Sequence, residues 1–507
     1  MRASRFGGFH IGLLLAWFLA SFGLVFFAED LQFTVAGWPL GYWLAAQGSV
    51  LAFIAIVVIF AWVANRRVPE EAAYSAQLAA YRRRLHGRFA MYLVVLMLFM
   101  AALVVAEDLG LRKTWMGAIF VFATIALYAG IGIYSRTSDA DEYFVAGRRI
   151  PAVYNGMATA ADWMSAASFI SLAGGLYLQG FSGNGLQPGG LVYIIGWTGG
   201  FCLVALMVAP YLRRLGLYTV PDFFGVRYGG RWPRRIAALA AVVCSFMYVV
   251  AQIYGVGLIT SRLTGVQFEI GILLGLGGVL LCSFLGGMRA VTWTQVAQYV
   301  ILILAFLIPV SWLAFKQLGN PMAPFVYGQQ LQKITALESR LAASPAEQQV
   351  TDVYARRARH YEAKLRDVEG SLERDRQALL DNLRQLQERR AEDAAITEVR
   401  RELAALPRDT VAARDVWTRA WVDSRDRART LAGMPPHVQP FPPMVDASGT
   451  LLQTPEASRL NFLALMFCLM VGTAGMPHLL TRFLTTSSVS ETRRSVAWSL
   501  FFIALLY

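Results

Sequence analysis

Nine uncharged apolar runs, most of them about as long as a bilayer is thick, dominate this chain: Phe9–Ala28, Trp38–Ala64, Phe89–Ala106, Trp115–Tyr134, Leu191–Tyr211, Ile236–Thr260, Ile270–Gly287, Val291–Phe315 and Asn461–Leu480. A helix needs roughly 20 apolar residues to cross the hydrocarbon core. No water inside that core satisfies backbone N–H and C=O groups, so such runs fold as helices with internal hydrogen bonds. The composition agrees, at 56% hydrophobic with a mean hydropathy of +0.47. The expected class is an all-α polytopic membrane protein. The first run is too long for a cleaved signal peptide and lacks a small-residue cleavage site.

A tenth run, Tyr154–Tyr177, carries a carboxylate, Asp162, in its middle. Thr159, Asp162, Ser165, Ser168 and Ser171 recur at every third position. Each such step lags about 60° behind a full helical turn, so the polar atoms wind around the cylinder. Lipid cannot satisfy them, and the segment is expected to be wrapped by other helices or to line a wet cavity. An intramembrane carboxylate marks a functional site by default; the competing reading is an Asp that caps a broken helix. An eleventh span begins near Ser495.

The run Asn461–Leu480 contains Gly472, Thr473, Gly475 and Pro477 within six residues, a composition that breaks a helix near mid-membrane. Broken helices free backbone carbonyls for a cation and expose half-helix N-termini to an anion. Two interrupted spans at corresponding places in two halves point to a transporter's binding site. His478 follows the second break; hydrogen bonding to a loop is preferred over proton relay. Tyr248 and Gln252 lie one helical turn apart and either face a cavity together or glue helices. The glycine pair at 286–287 permits a tight turn between two spans, with Arg289 anchoring it; this reads as scaffold.

The net charge of +13 is distributed by topology. Arg66, Arg67, Arg82, Arg83, Arg84 and Arg88 fall in one loop, Arg213, Arg214, Arg227, Arg231, Arg234 and Arg235 in another, and Arg482, Arg493 and Arg494 in a third. Span counting puts all three on one side, which the positive-inside rule makes cytoplasmic, together with the N-terminus. Nucleic acid is not an expected partner. Cys202, Cys244, Cys282 and Cys468 all sit in apolar spans, without metal or disulfide spacing, and read as buried small hydrophobes. No nucleophile–base set appears, so no enzyme and no organic cofactor are expected.

Residues 316–459 are rich in Arg, Glu, Asp, Gln and Ala, and read as a soluble helical insertion on the periplasmic side. Pro345 and Pro407 bound a proline-free run that reads as a long helix or a hairpin. Leu365, Val368, Leu372 and Leu379 fit a coiled-coil heptad, although Asp375 occupies a d position and Gly370 weakens the centre. A second helix is expected over about Thr410–Leu431. A solvated spacer is the plainer reading of this insertion, and a docking surface for a protein partner the sharper one.

ADWMSAASF at 161–169, GGMRAVTWTQ at 286–295, GTAGMPHLLTRF at 472–483 and DEYFVAGRRIP at 141–151 resemble the sodium:solute symporter family, above all its acetate and short monocarboxylate permeases. FGLVFF, GWPLGYW and AAQGS within 1–68 resemble the separate small subunit of some such symporters. The resemblance implies a LeuT-like inverted-repeat transporter core working by alternating access. The implied units are 1–68, small-subunit-like; 69–114, a basic linker with an extra span; 115–315, the first repeat; 316–459, the insertion; and 460–507, the start of a second, incomplete repeat. It implies Na⁺ (or H⁺) as coupling ion, held by the carbonyls of Ala161 and Met164 with Ser165 and Asp162 beside them. Proline-type relatives carry the functional Asp one position later, where this chain has Trp163.

The expected function is cation-coupled uptake of a small organic anion across a bacterial inner membrane. Ser168, Tyr248, Gln252, Gly472, Thr473 and Gly475 are the expected substrate-lining residues. The eighth core helix of the family would lie beyond Tyr507, so the chain also reads as a fragment or truncated product. The alternatives are a membrane sensor built on a symporter-like domain, and a non-functional fragment.

Overall fold

Among the described residues, eight helices are long and apolar enough to cross a membrane by length and composition: Gly7–Phe26, Leu40–Arg66, Ala79–Asp108, Trp115–Tyr134, Gly190–Arg214, Arg231–Leu263, Gly286–Leu318 and Pro455–Gly475. The computed structural model describes residues 3–507 except 32, 36, 68–74, 166, 184–186, 390–392 and 446–450. The chain is all-α apart from two short hairpins, Thr34–Val35 with Trp38–Pro39 and Met444–Val445 with Leu451–Gln453. It divides into two units. One comprises Met1–Tyr177, Gly190–Tyr327 and Asn461–Tyr507; the other comprises Leu178–Gly189 and Gly328–Leu460.

The sequence expects ten complete spans, and two fall outside the eight: Ile270–Gly287, whose helix Phe268–Gly277 is too short, and the run at 154–177, for a physical reason. It is two pieces. The helix Ala152–Trp163 ends at Met164, whose backbone (φ −70°, ψ 71°) leaves the helical region. A π-helical turn, Ala167–Leu172, and a short helix, Ala173–Gln179, follow. The other expected break also occurs. The helix Pro455–Gly475 stops at Met476 (φ −64°, ψ 114°) and Pro477–Thr481 begins a new one, with Pro477 in the first turn where its missing N–H costs nothing. The long helix Phe268–Leu318 is interrupted at Gly287, whose φ of 51° and ψ of −143° only glycine adopts readily.

Close approach of helices in the first unit depends on small residues. Gly196 and Gly200 form a small-xxx-small face, with Gly199 beside it. A Cβ on Gly200 would lie 2.5 Å from Thr473 Cβ, and one on Gly199 2.5 Å from Met470 Cε. Gly156 plays the same part against Trp498, where a Cβ would come within 2.6 Å. The helix Val489–Ala504 packs along Ala152–Trp163 on that face.

Within this unit the N-terminal spans make polar contacts with the other helices, one of them buried and two part-buried. Trp17 Nε1 donates to the Gly199 carbonyl at 2.9 Å. Asn65 Nδ2 donates to the Ser490 carbonyl at 3.3 Å, and Arg493 donates to Asn65 Oδ1 at 2.9 Å. Arg493 is buried, so one of the charges assigned to a cytoplasmic loop is a structural tie instead. Cys202 is buried as expected, but Cys244 and Cys468 are exposed on apolar helices; the side chain of Cys282 lies outside the described residues.

In the second unit the expected long helix between Pro345 and Pro407 is three helices: Pro345–Arg366, Val368–Glu388 and Asp393–Ala405. The first break is at Asp367 (φ −142°, ψ 82°), whose carboxylate accepts from Gly370 N at 3.0 Å and so caps the next helix. The heptad positions Leu365, Val368 and Leu372 do not form a coiled-coil seam. They pack with Tyr361 against Ala413 and Trp417 of the helix Thr410–Arg427. Asp375 is held by Lys364 at 2.6 Å, with the ammonium 5.2 Å from the Trp417 ring centroid.

Two measurements probe this packing. Gly200→Leu overpacks the contact with Thr473 and lowers thermal stability of the detergent-solubilised chain by roughly 1–3 kcal/mol, the usual cost of overpacking; an unchanged melting temperature would mean that the helices are not held this closely. In the second unit, burial pushes the Glu338 carboxyl above its ordinary value, with the His437 N–H hydrogen bond opposing. A raised folded value means that stability is fully present below the unfolded carboxyl value and is lost as pH rises through the folded one. Glu338→Gln should therefore weaken the loss of protease resistance in residues 328–460 as pH rises from the acid side.

Candidate functional site

The break at Met164 frees helix-end backbone groups from the helical pattern. Met164 N still donates to the Ala160 carbonyl at 2.9 Å. Ser165 N, which would serve the Ala161 carbonyl in a continuous helix, turns instead to the Trp163 carbonyl at 2.8 Å. The Ala161 carbonyl thereby loses its α-helical donor. Tyr248 Oη donates to the Asp162 carbonyl at 3.2 Å and also reaches the Ser165 side chain. Ser168 Oγ lies 2.9 Å from Tyr507 Oη. Around them Trp163 packs edge-on against Trp197 and Phe201, with ring centroids at 5.8 and 5.3 Å.

The carboxylate of Asp162 does not face an empty site. Both of its oxygens are taken by Arg482, Nη2 donating to Oδ1 at 2.9 Å and Nε to Oδ2. Only 3% of the arginine side chain and 11% of the carboxylate's is exposed. This is a fork-to-fork pair, the strongest geometry available to two such groups. The third guanidinium nitrogen donates to Thr292 Oγ1 at 2.9 Å and approaches Met288 Sδ at 3.4 Å. The pair links the first broken span to the second, because Arg482 follows directly on Pro477–Thr481.

A second buried hub lies about two turns earlier. Asn155 Nδ2 donates to the Arg482 carbonyl at 3.0 Å and to Ser495 Oγ at 2.8 Å, and Asn155 Oδ1 accepts from Thr485 at 3.0 Å. The His478 ring stacks on Tyr248 with centroids 4.6 Å apart and planes at 29°. Its Nε2, buried, has no hydrogen-bond partner among the described residues.

The expected residues therefore divide. Ala161, Asp162, Met164, Ser165, Ser168 and Tyr248 come together around one break, with Gln252 half-buried one turn from Tyr248. Gly472 and Gly475 lie on the approach to the second break, exposed and with open space beside them. Thr473 is buried in the packing seam with Gly200. Sequence reasoning missed Arg482, Asn155 and Thr292. Arg482 was counted with the loop charges, although an arginine next to an intramembrane break, with a carboxylate unaccounted for elsewhere, was the available signal. The turn at 286–298 is more than scaffold, since it supplies Thr292.

Residues 143–356 match the sodium:solute symporter family. Residues 8–69 match a domain of unknown function (DUF4212), the region that resembles a small subunit. A protein named as an uncharacterized symporter from Cupriavidus necator is 47% identical over 433 residues, which are 84% of this chain and 61% of that protein. The uncharacterized symporter YwcA of Bacillus subtilis is 35% identical over 186 residues, 36% of this chain and 34% of its own. The chain thus spans less than two thirds of the length of either relative. A solved Na⁺-coupled sialic acid symporter in a substrate-bound, outward-open state aligns at a TM-score of 0.36 and 15% identity, over 77% of this chain and 73% of that one. The buried pair, Asp162–Arg482, has its carboxylate inside the symporter-matching segment and its guanidinium beyond it.

Removing one partner of such a pair strands the other charge. Asp162→Asn should lower the stability of the purified chain by roughly 3–5 kcal/mol, and Asp162→Asn with Arg482→Gln should recover most of that loss. Thermal denaturation in detergent measures both; losses that simply add would mean that the two groups are not coupled.

Proposed function

We propose that this chain carries the binding core of a Na⁺-coupled symporter for a small organic anion, such as acetate or another short monocarboxylate, in a bacterial inner membrane. The observation that carries this reading is the broken span at Met164, lying in the segment that matches the symporter family and opening helix-end carbonyls beside a buried ion pair. A hard cation takes oxygen ligands, and the Ala161 and Met164 carbonyls with the Ser165 hydroxyl are the local donors. Asp162 acts at one remove: its two oxygens hold Arg482, so it contributes field and sets the bend rather than wrapping the ion. H⁺ is the competing coupling ion.

The anion would sit between the two breaks, with Ser168, Tyr248 and Gln252 on one wall and the Gly472–Gly475 stretch on the other. In this arrangement 115–315 is a first repeat, 460–507 opens a second, and the N-terminus is cytoplasmic with 316–459 on the periplasmic face. Coupling follows if the cation stabilises the state that binds the anion better. The two helix breaks supply the flexible points that such a transition needs.

Proteoliposomes holding the chain should take up labelled acetate faster under an inward Na⁺ gradient than under a matched K⁺ gradient. Ser165→Ala should raise the Na⁺ concentration for half-maximal uptake by roughly tenfold, the equivalent of ~1.4 kcal/mol for one lost oxygen ligand. Uptake indifferent to Na⁺ would remove the coupling assignment, and uptake driven by a pH gradient alone would replace Na⁺ with H⁺.

A further inference from the structure

The helix Ser75–Asp108 stands between the N-terminal unit and the symporter-matching segment, and no family match covers it. It is among the least buried of the membrane-length helices, with 6% of its apolar window covered by protein. Polar ties attach it to its neighbours: His86 Nδ1 to Tyr154 Oη at 2.8 Å, Tyr92 Oη to the Ala297 carbonyl at 2.9 Å, and an ion pair from Arg82 to Glu491 at 3.1 Å. Between these ties and the helix Lys113–Tyr134 lies a cavity of about 740 Å³.

The two ends of this cavity differ in chemistry. One end is basic. Arg84 and Arg88 lie one turn apart on Ser75–Asp108, and Arg149 and Arg289 enter from the opposite wall. A single carboxylate on the lining, Glu142, pairs with Arg149 and lies 3.7 Å from Arg289. Among the described residues Arg84 and Arg88 have no carboxylate partner. Arg88 Cζ lies 5.9 Å from the Tyr134 ring centroid. Tyr81 lines the same cavity as Arg88, Arg149 and Arg289. Away from that end the wall is apolar, with Phe89, Ile131 and Trp293 on three different segments.

The geometry points to a binding site for an anionic phospholipid, its phosphate among Arg84, Arg88, Arg149 and Arg289 and its acyl chain along the apolar wall. Four guanidinium groups against one carboxylate leave an unbalanced positive charge that an anionic headgroup neutralises. Basic pockets between membrane helices on the cytoplasmic side hold such headgroups. By the positive-inside rule the cluster Arg82, Arg83, Arg84 and Arg88, against Arg112 and Lys113 past the other end, puts this end on the cytoplasmic side. A soluble anion would use the basic end alone; the long apolar wall opening beside a lipid-facing helix selects an amphiphile. The lipid would fill the gap that side chains leave between this peripheral helix and the helix pair Ala152–Trp163 and Gly286–Leu318.

Native mass spectrometry of the detergent-solubilised full chain tests the site. The probes are phosphatidylglycerol, phosphatidylcholine and inorganic phosphate. The wild-type chain should retain phosphatidylglycerol after delipidation in preference to phosphatidylcholine, and millimolar inorganic phosphate should not displace it. Arg84→Gln with Arg88→Gln, both exposed side chains, should weaken phosphatidylglycerol binding about 25-fold, from roughly a fivefold loss per arginine. Arg227→Gln with Arg231→Gln, basic but outside the cavity, should leave it unchanged. Equal retention of the two lipids, or equal loss in both double variants, overturns the assignment. Displacement by inorganic phosphate would make this a small-anion site and also overturn it. Should the Arg84/Arg88 variant fail to purify, Ile131→Trp, which fills the apolar wall, must give the same selective loss.

Discussion

The structure of the first unit turns on an ion pair that membrane depth makes obligatory. Neither the Asp162 carboxylate nor the Arg482 guanidinium tolerates burial alone, since each desolvated charge costs several kcal/mol, roughly, unless the other offsets it. They are 320 residues apart in sequence and meet with two parallel hydrogen bonds. That meeting fixes the first broken span against the second. Thr292 occupies the remaining guanidinium nitrogen, so the turn after Gly287 is drawn into the same junction. Asn155 then satisfies the Arg482 carbonyl and reaches Ser495 and Thr485, extending the junction into the last helix. A polar network of this kind is useful at membrane depth because every member has a partner.

Around this junction the helices approach through glycine. Gly156, Gly199 and Gly200 remove the side chains that would hold neighbouring backbones apart. In lipid, such close packing replaces the hydrophobic drive that assembles soluble cores. The N-terminal spans use the same arrangement from outside. Trp17 hydrogen-bonds to the Gly199 carbonyl, and Asn65 pairs with Arg493 and the Ser490 backbone. The region matching a domain of unknown function is therefore bound by polar contacts to the helices that carry the junction, and not only tethered in sequence.

Much of the fold was legible from local chemistry. The apolar runs gave the helices, the Gly–Gly pair at 286–287 gave a break, and the Gly472–Pro477 cluster gave another at Met476. The polar spiral around Asp162 marked a segment that protein encloses over its first half, Ala152–Trp163, whereas Ala173–Gln179 has no buried residue; the break between them falls at Met164. What could not be read was pairing. Arg482 and Arg493 look like any other membrane-flanking arginines when charges are counted, and only contacts with Asp162 and Asn65 distinguish them. In the second unit, a proline-free run reads as one helix; Asp367 breaks it by capping its own successor, a competition between side chain and backbone that periodicity does not register.

The sequence by itself determined which segments enter the membrane, where two of them must break, and that a carboxylate sits at one break. These follow from local terms: apolar length, the missing N–H of proline, the freedom of glycine, and the cost of unsatisfied polar atoms in lipid. Only the tertiary structure decided what the carboxylate faces, which arginines are buried, and how Thr473 comes to lie against Gly200 rather than at the open side of its helix. Those outcomes depend on residues hundreds of positions apart sharing one low-dielectric site, where the energy belongs to the pair and neither residue carries it alone.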